Sequence, residues 1–349
     1  MQTLSPVLAV LATMIAGAIL FAILGKSPLE AIRVIFVDPL LDPFSRTELL
    51  VIASPLILIA LGLSLGFRAG VWNIGAEGQL IIGAILASIV AIQFDGSTSS
   101  LLLPAMVLAG ALGGMGWAGI AAWLRTRYNA NEILVTFMLS SIALQVLYYL
   151  VTGPLRDPDG FNFPQSITFS AAATFPLLIE NTRVNASLLI ALVVSVVAWV
   201  FMQRSLMGYK LVVGGLAPQA ARYAGFGEKR AIWLALLIGG AAAGVAGVGE
   251  VAGPLGMLQR TISPGYGFTA IIVAFLGGLH PIGIIFSSAL MALIYVGGDF
   301  ARLSVGLPSA VTDIFQGLLL TFYLASSLLL THRLRVRESE KSLIAEAAE

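Results

Sequence analysis

Ten apolar stretches, each without a charged residue over most of its length, constrain what this chain can fold into. About 20 consecutive apolar residues are needed for a helix to cross the hydrocarbon of a bilayer. Such stretches cover residues 6–24, 49–67, 75–92, 101–124, 133–151, 184–202 and 231–249. The next run, 268–298, is too long for one span and is interrupted only by His280-Pro281, where it divides into a short eighth helix and a ninth. The tenth covers 309–330. Hydrophobic residues make up 58% of the 349 and charged residues 11%, where a soluble domain carries roughly a quarter charged and about half apolar. The expectation is an all-α, polytopic membrane protein. One transmembrane domain covers 1–332 and a charged tail covers 333–349.

Composition removes several classes of function. There is no cysteine, which excludes disulfides, thiolate chemistry and cysteine metal sites. His280 and His332 are the only imidazoles, so no metal site is expected. The net charge of +1 comes without a basic stripe interleaved with aromatics, so no nucleic-acid partner is expected. The first 24 residues lack a basic leader and a clear cleavage site and read as a retained span. Gly25-Lys26-Ser27 imitates the end of a phosphate-binding loop, but the required first glycine falls on Leu20. Gly114-Met115-Gly116-Trp117-Ala118-Gly119 matches a dinucleotide pattern by letter inside an uncharged run, where helix packing explains it better. Gly110/Gly114 and Gly240/Gly244 likewise suit close helix packing. No nucleophile–base or acid pair suggests catalysis, so the chain reads as a non-enzyme.

Basic residues orient the spans. Arg68, Arg125, Arg127, Arg204, Lys210, Arg222, Lys229, Arg230, Arg333, Arg335, Arg337 and Lys341 fall on one side of a ten-span topology, twelve of the 19 Lys and Arg. If that side is the cytoplasm, both termini are cytoplasmic. The longest loops on the other side, 26–48 and 153–183, carry prolines and mixed charge; they are either docking surfaces or ordinary connectors.

Residues 70–79, Gly-Val-Trp-Asn-Ile-Gly-Ala-Glu-Gly-Gln, separate the second and third spans. Polar side chains beside apolar spans are costly in lipid and face a protein interior or a water-filled path. The stretch reads as a broken helix lining a substrate path, with a solvated turn as the alternative. A second Gly- and Pro-rich break, 253–266, precedes the eighth helix. Segments two to five and seven to ten would then be inverted repeats, an arrangement that points to a midplane transport site.

The loop 203–230 is far longer than the roughly two to eight residues that join helices in bundles. Pro218 suits a first helical turn, Gln219 to Ala224 are mostly good helix formers, and Gly225 fits a helix stop. A short helix flanked by glycine turns is expected, able to carry a push from a partner into segments six and seven. The chain has no nucleotide site of its own.

These residues bear a family resemblance. The 70–79 motif, the loop from Gly208-Tyr209-Lys210 through Ala220-Ala221-Arg222 and Gly225-Phe226, and the late stretch 265–283 resemble, in that order, the signatures of ABC importer permeases for nucleosides and simple sugars. Branched-chain amino acid and ribose permeases belong to the wider group. Trp72 is bulkier than the pattern leads one to expect. The resemblance implies a permease subunit in a bacterial inner membrane. Its implied partners are a second permease, as a heterodimer, two cytoplasmic ATPase subunits that hold ATP and Mg, and an external substrate-binding protein. No cofactor is implied in this chain. Gly208, Pro218, Gln219, Ala220, Ala221, Arg222 and Gly225 would contact the ATPase.

Candidate path residues follow from solute chemistry. Asn73, Glu77 and Gln79 can hydrogen-bond hydroxyls. Trp72, Tyr266 or Phe268 can stack on a base, with core packing the alternative. Glu250 closes segment seven and can face the path. For Glu77 the alternative is a salt bridge to Arg68; for Glu250 and Asp313 it is helix-end hydration or an interhelical bond. The rival function is a secondary transporter or channel for small polar solutes.

Overall fold

The computed structural model describes residues 4–331. His332 and the basic residues Arg333, Arg335, Arg337 and Lys341 lie outside the described residues, and with them the placement of the tail.

The helices are α1 (Leu4–Ile23), α2 (Pro28–Phe36), α3 (Asp38–Leu41), α4 (Pro43–Arg68), α5 (Ala76–Gln93), α6 (Leu102–Tyr128) and α7 (Glu132–Thr152). They continue as α8 (Ser187–Arg204), α9 (Leu206–Leu216), α10 (Pro218–Tyr223), α11 (Glu228–Val251), α12 (Tyr266–Leu276), α13 (Pro281–Ser304) and α14 (Ala310–Thr331). Among the described residues, nine helices are long and apolar enough to cross a membrane, namely α1, α4, α5, α6, α7, α8, α11, α13 and α14. The chain is a polytopic all-α membrane protein. At 1.5 Å per residue, α12 extends only about 16 Å, half a bilayer. The long apolar run divides where expected: the His280 side chain accepts from Ile282 N at 3.3 Å and Pro281 opens α13.

The largest differences from the sequence expectation lie in 26–48. Helix α4 begins at Pro43, six residues before the apolar run, because Asp42 caps it, accepting from Ser45 N at 2.8 Å and Ser45 Oγ at 2.6 Å. Those bonds hold the Asp42 carboxyl below the usual carboxylate range. Glu48 is therefore buried within a helix rather than exposed in a loop. The rest of 26–48 is not a simple connector. It folds into α2 and α3, and α2 buries Ala31, Val34 and Ile35.

The core is built around α4 and α11. Gly62 faces Gly239 and Gly66 faces Ala235, so the two helices run antiparallel. Each is followed by a break and a shorter helix, which gives the inverted relation read from the sequence. The two small-residue pairs pack against each other: Gly110 faces Gly244 and Gly114 faces Gly240, with Gly83 of α5 joining the crossing. A side chain at any of these positions would collide with a neighbouring backbone or side chain.

One face of the bundle collects the ends of α4, α6 and α8 with α9 and α10. The other collects 153–186 and 252–265. On that second face the irregular loop pairs with the segment after α11. Phe175 N donates to Ala252 O at 2.8 Å, Phe169 N to Gly256 O at 2.8 Å, and Ser166 N to Leu258 O at 2.7 Å. This loop is a clamp on the second break.

Candidate functional site

The first break starts where α4 ends. Gly70 has φ +72°, a conformation that glycine adopts without strain, and the chain turns back so that Val71 N donates to Gly66 O at 2.9 Å. Asn73 Nδ2 donates to Gln79 Oε1 at 2.9 Å, and Gln79 Nε2 donates to Asn73 Oδ1 at 3.1 Å. Gly75 N also donates to Asn73 Oδ1, at 3.0 Å. Both side chains are buried. Helix α7 completes the closure: Thr136 Oγ1 accepts from Ile74 N at 3.1 Å and Ser140 Oγ from Gly78 N at 3.2 Å. Asn73 and Gln79 are thus engaged in closing the break.

The second break delivers the start of α12 to the same place. Gly265, at φ +97°, turns the chain into the helix. Ser263 Oγ accepts from Gly265 N at 3.1 Å and Tyr266 N at 2.9 Å. Gly267 N then donates to Glu77 Oε2 at 2.7 Å. Glu77 stands in the first turn of α5, so one carboxylate serves two helix N-termini. Each such end carries unsatisfied N–H groups and a partial positive charge. The approach requires glycine, since a Cβ on Gly267 would overlap the backbone of Glu77. Arg68 is not the partner of Glu77. The ion pairs among the described residues are Arg33–Asp38, Arg125–Glu132, Arg183–Glu48 and Arg302–Asp299.

A polar seam continues from this junction. Glu250 is buried at the end of α11 and acts on the charge of Arg183. The Arg183 guanidinium forks onto Glu48, with Nε 2.9 Å from Oε1 and Nη2 on Oε2. That carboxylate, first among the causes, raises the Arg183 pKa. Tyr266 is buried edge-on against Tyr295, ring centroids 5.7 Å apart. Thr269 Oγ1 lies 2.8 Å from Tyr295 Oη and donates to Gln316 Oε1 at 2.9 Å.

The aromatic candidates separate. Tyr266 is core. Trp72 is half-exposed and packs on Phe67 and Phe275, at 5.2 and 5.7 Å between centroids. Phe268 is half-exposed and lies 6.3 Å from Phe137 of α7. Sequence reasoning missed Thr136, Ser140, Ser263 and Gly267. Of these only Ser263 carried a local signal, a hydroxyl two and three residues before the amides it caps.

On the basic face, Pro218 opens α10, Ala221 is its buried residue and Gly225 at φ +74° follows its end. Gln219, Ala220 and Arg222 are exposed. The expected glycine turn on the near side is instead α9. Ser205 Oγ caps that helix by accepting from Gly208 N at 2.9 Å, and Gly208 packs on the backbone at Phe201 and Met202. Gly215 of α9 abuts the backbone of Arg68 and Ala69. The segment therefore touches the first break directly, as well as the helices on either side of it.

The chain has relatives that match over most of its length. Residues 45–324 match the family described as branched-chain amino acid transport system / permease component. The glucose ABC transporter permease protein TsgB13 of Haloferax volcanii is 37% identical over 95% of this chain and 90% of its own. The guanosine ABC transporter permease protein NupP of Bacillus subtilis is 30% identical over 93% of each. The nucleoside ABC transporter permease protein NupB of Lactococcus lactis subsp. cremoris is 28% identical over 92% of this chain and 90% of its own. With its nine long apolar helices and two facing breaks, the chain belongs to this family of transport-system permease components.

Proposed function

We propose that this chain is the translocation subunit of an ATP-driven importer that carries nucleosides, related ribosides or simple sugars across a bacterial inner membrane. The observation that carries the reading is the head-to-head meeting of two broken helices, joined by Glu77 and Gly267 inside the bundle. Half-helix N-termini at the interior of a membrane bundle are the usual setting of a transport site. The glucose, guanosine and nucleoside permeases among the relatives support the solute class.

In this reading the basic face is cytoplasmic, with both termini on that side. The exposed residues Pro218, Gln219, Ala220 and Arg222 of α10 and Gly225 just after it meet an ATPase subunit, with Gly208 and Ala221 packed behind them. Pressure there passes through Gly215 to Arg68 and the first break. ATP and Mg are held by two such subunits. A second permease, as a heterodimer, supplies the other half of the path, and an external binding protein delivers the solute. Trp72 and Phe268 offer ring faces, and Glu250 an acceptor, along the seam.

The test is uptake by the complete complex in liposomes. ATP-dependent accumulation of a nucleoside or sugar is expected. Flux that persists with an ATPase subunit omitted would instead support a channel or secondary transporter.

A further inference from the structure

Helix α7 has two unlike faces. Thr136, Ser140, Ala143, Leu147 and Val151 are buried, and the first two hold the first break. On the opposite side, Phe137, Met138, Ser141, Ile142, Gln145 and Tyr149 are exposed. Ser141, Gln145 and Tyr149 are four residues apart and share one stripe. At 1.5 Å per residue, Ser141 lies about 14 Å from the start of the helix and Gln145 about 10 Å from its end, within the hydrocarbon depth. Neither side chain has a hydrogen-bond partner among the described residues.

The other outward helices behave differently. On α8, Gln203 and Arg204 are exposed at the helix end, and before them the exposed side chains are Leu189, Leu192, Val193, Val196, Val197, Trp199 and Val200, while Ser195 turns inward and donates to Ala191 O at 2.8 Å. On α1 the exposed residues are also aliphatic, and Thr13 turns inward to Ala9 O at 2.7 Å. Thr321 of α14 is exposed but donates to Gly317 O at 2.8 Å. Lipid can satisfy neither a carboxamide nor a free hydroxyl, and each such group costs several kcal/mol there.

We infer that the Ser141–Gln145–Tyr149 face of α7 is a solute-binding wall of the path rather than a lipid-facing surface. The inference rests on the transport reading above and adds residues to it. Ser141, Ile142, Gln145, Val146 and Tyr149 line a shallow, open groove of about 450 Å³ along the outer side of α7. Its walls are mostly apolar, and Gln145 and Ser141 are the lining residues that carry amide and hydroxyl groups. Tyr149 follows Gln145 by one turn on the stripe, and Phe137, which lies against Phe268, precedes Ser141 by one turn. That set fits a hydroxylated solute bearing a flat ring, hence a nucleoside or riboside over a plain hexose. The groove opens away from the chain, so its opposite wall comes from another subunit.

The chain contains no cysteine, so single cysteines report without background from it. In the assembled transporter in liposomes, Ser141→Cys and Gln145→Cys should react with a water-soluble thiol reagent at least about tenfold faster than Val193→Cys and Val196→Cys, and a saturating nucleoside should slow them. Equal rates on the two helices, or α7 rates that no nucleoside alters, would overturn the inference. Gln145→Leu should raise the KM for nucleoside uptake by about tenfold with kcat and melting temperature nearly unchanged, the cost of one lost hydrogen-bonding group. An unchanged KM would also overturn it. The unmodified complex is measured in the same liposomes. Absence of ATP-driven uptake there sinks the transport reading, whereas normal uptake with no labelling contrast sinks only the α7 assignment.

Discussion

The break between α4 and α5 is closed mainly by its own side chains, with α7 behind them, whereas the break between α11 and α12 is closed largely by other parts of the chain. In the first, Asn73 and Gln79 bond each other and Asn73 takes the Gly75 amide, so three bonds come from the turn's own side chains and two from Thr136 and Ser140 of α7. In the second, the carbonyls of Ala252, Gly256 and Leu258 accept from the 166–175 loop and the Gly267 amide is taken by Glu77. Local bonds are fewer there: Ser263 takes the Gly265 and Tyr266 amides, and Leu255 N donates to Glu250 O at 3.2 Å. A self-closed turn keeps its bonds when neighbours shift. A turn held by neighbours must move with them or exchange them. The first break has the character of a fixed point and the second of a moving part, with Glu77 as the link between them.

Substitutions can break or sharpen this contrast. The largest effect is expected at Gly267, where alanine or valine forces the two breaks apart. Overpacking against backbone should cost on the order of 3 kcal/mol, read as a large fall in melting temperature of the purified complex. A tolerated valine would mean that the helix ends do not meet. Next comes Asn73→Ala, which strands the Gln79 amide and the Gly75 N–H in a buried site, at about 2–3 kcal/mol. Its counterpart, Ser166→Ala in the loop that clamps the second break, removes one bond from Leu258 N and should cost about 1 kcal/mol. Equal costs by thermal unfolding would erase the distinction.

Glu77 separates capping from transport. Glu77→Ala leaves the Gly267 N–H at the α12 N-terminus without its acceptor, a loss of about 1–2 kcal/mol. Glu77→Gln keeps an acceptor and loses only the charge at the helix ends, under about 1 kcal/mol. If Glu77→Gln assembles and melts normally yet abolishes uptake, the carboxylate also serves the path. If uptake survives, its role is the junction alone.

The smallest effect lies outside both breaks and gives a baseline. The Asp42 carboxyl is depressed by its bonds to Ser45. Its contribution is therefore present above the ordinary carboxylate pKa of about 3.9 and fades as pH falls through the lower folded value. The melting difference between the parent chain and Asp42→Ala should shrink as pH drops below about 4. A difference that grew instead would place the cap elsewhere.

How much of this was legible follows from the physics of each signal. The spans could be read because bilayer thickness dictates apolar run length, and His280-Pro281 marked the division between α12 and α13. The start of α4 could not, since Arg46 and Glu48 interrupt its apolar pattern while Asp42 does the capping. Helix α9 was hidden by the glycines at 208, 214 and 215, which suggest turns until their neighbours are known. The motif 70–79 pointed to the right place, but its Asn73 and Gln79 read as open hydrogen-bonding groups because their pairing depends on the turn. The Glu77–Gly267 bond joins residues 190 apart, and nothing local announces it. The stripe at 141, 145 and 149 was visible as spacing and stayed mute until the packed face of α7 was known.

The contrast between a fixed and a moving break is tested most directly by amide hydrogen exchange on the assembled transporter, with and without ATP and solute. The account predicts that protection changes across 253–267 while the amides of 73–79 stay as they were. Invariant protection across 253–267, with the change confined to 73–79, would contradict it.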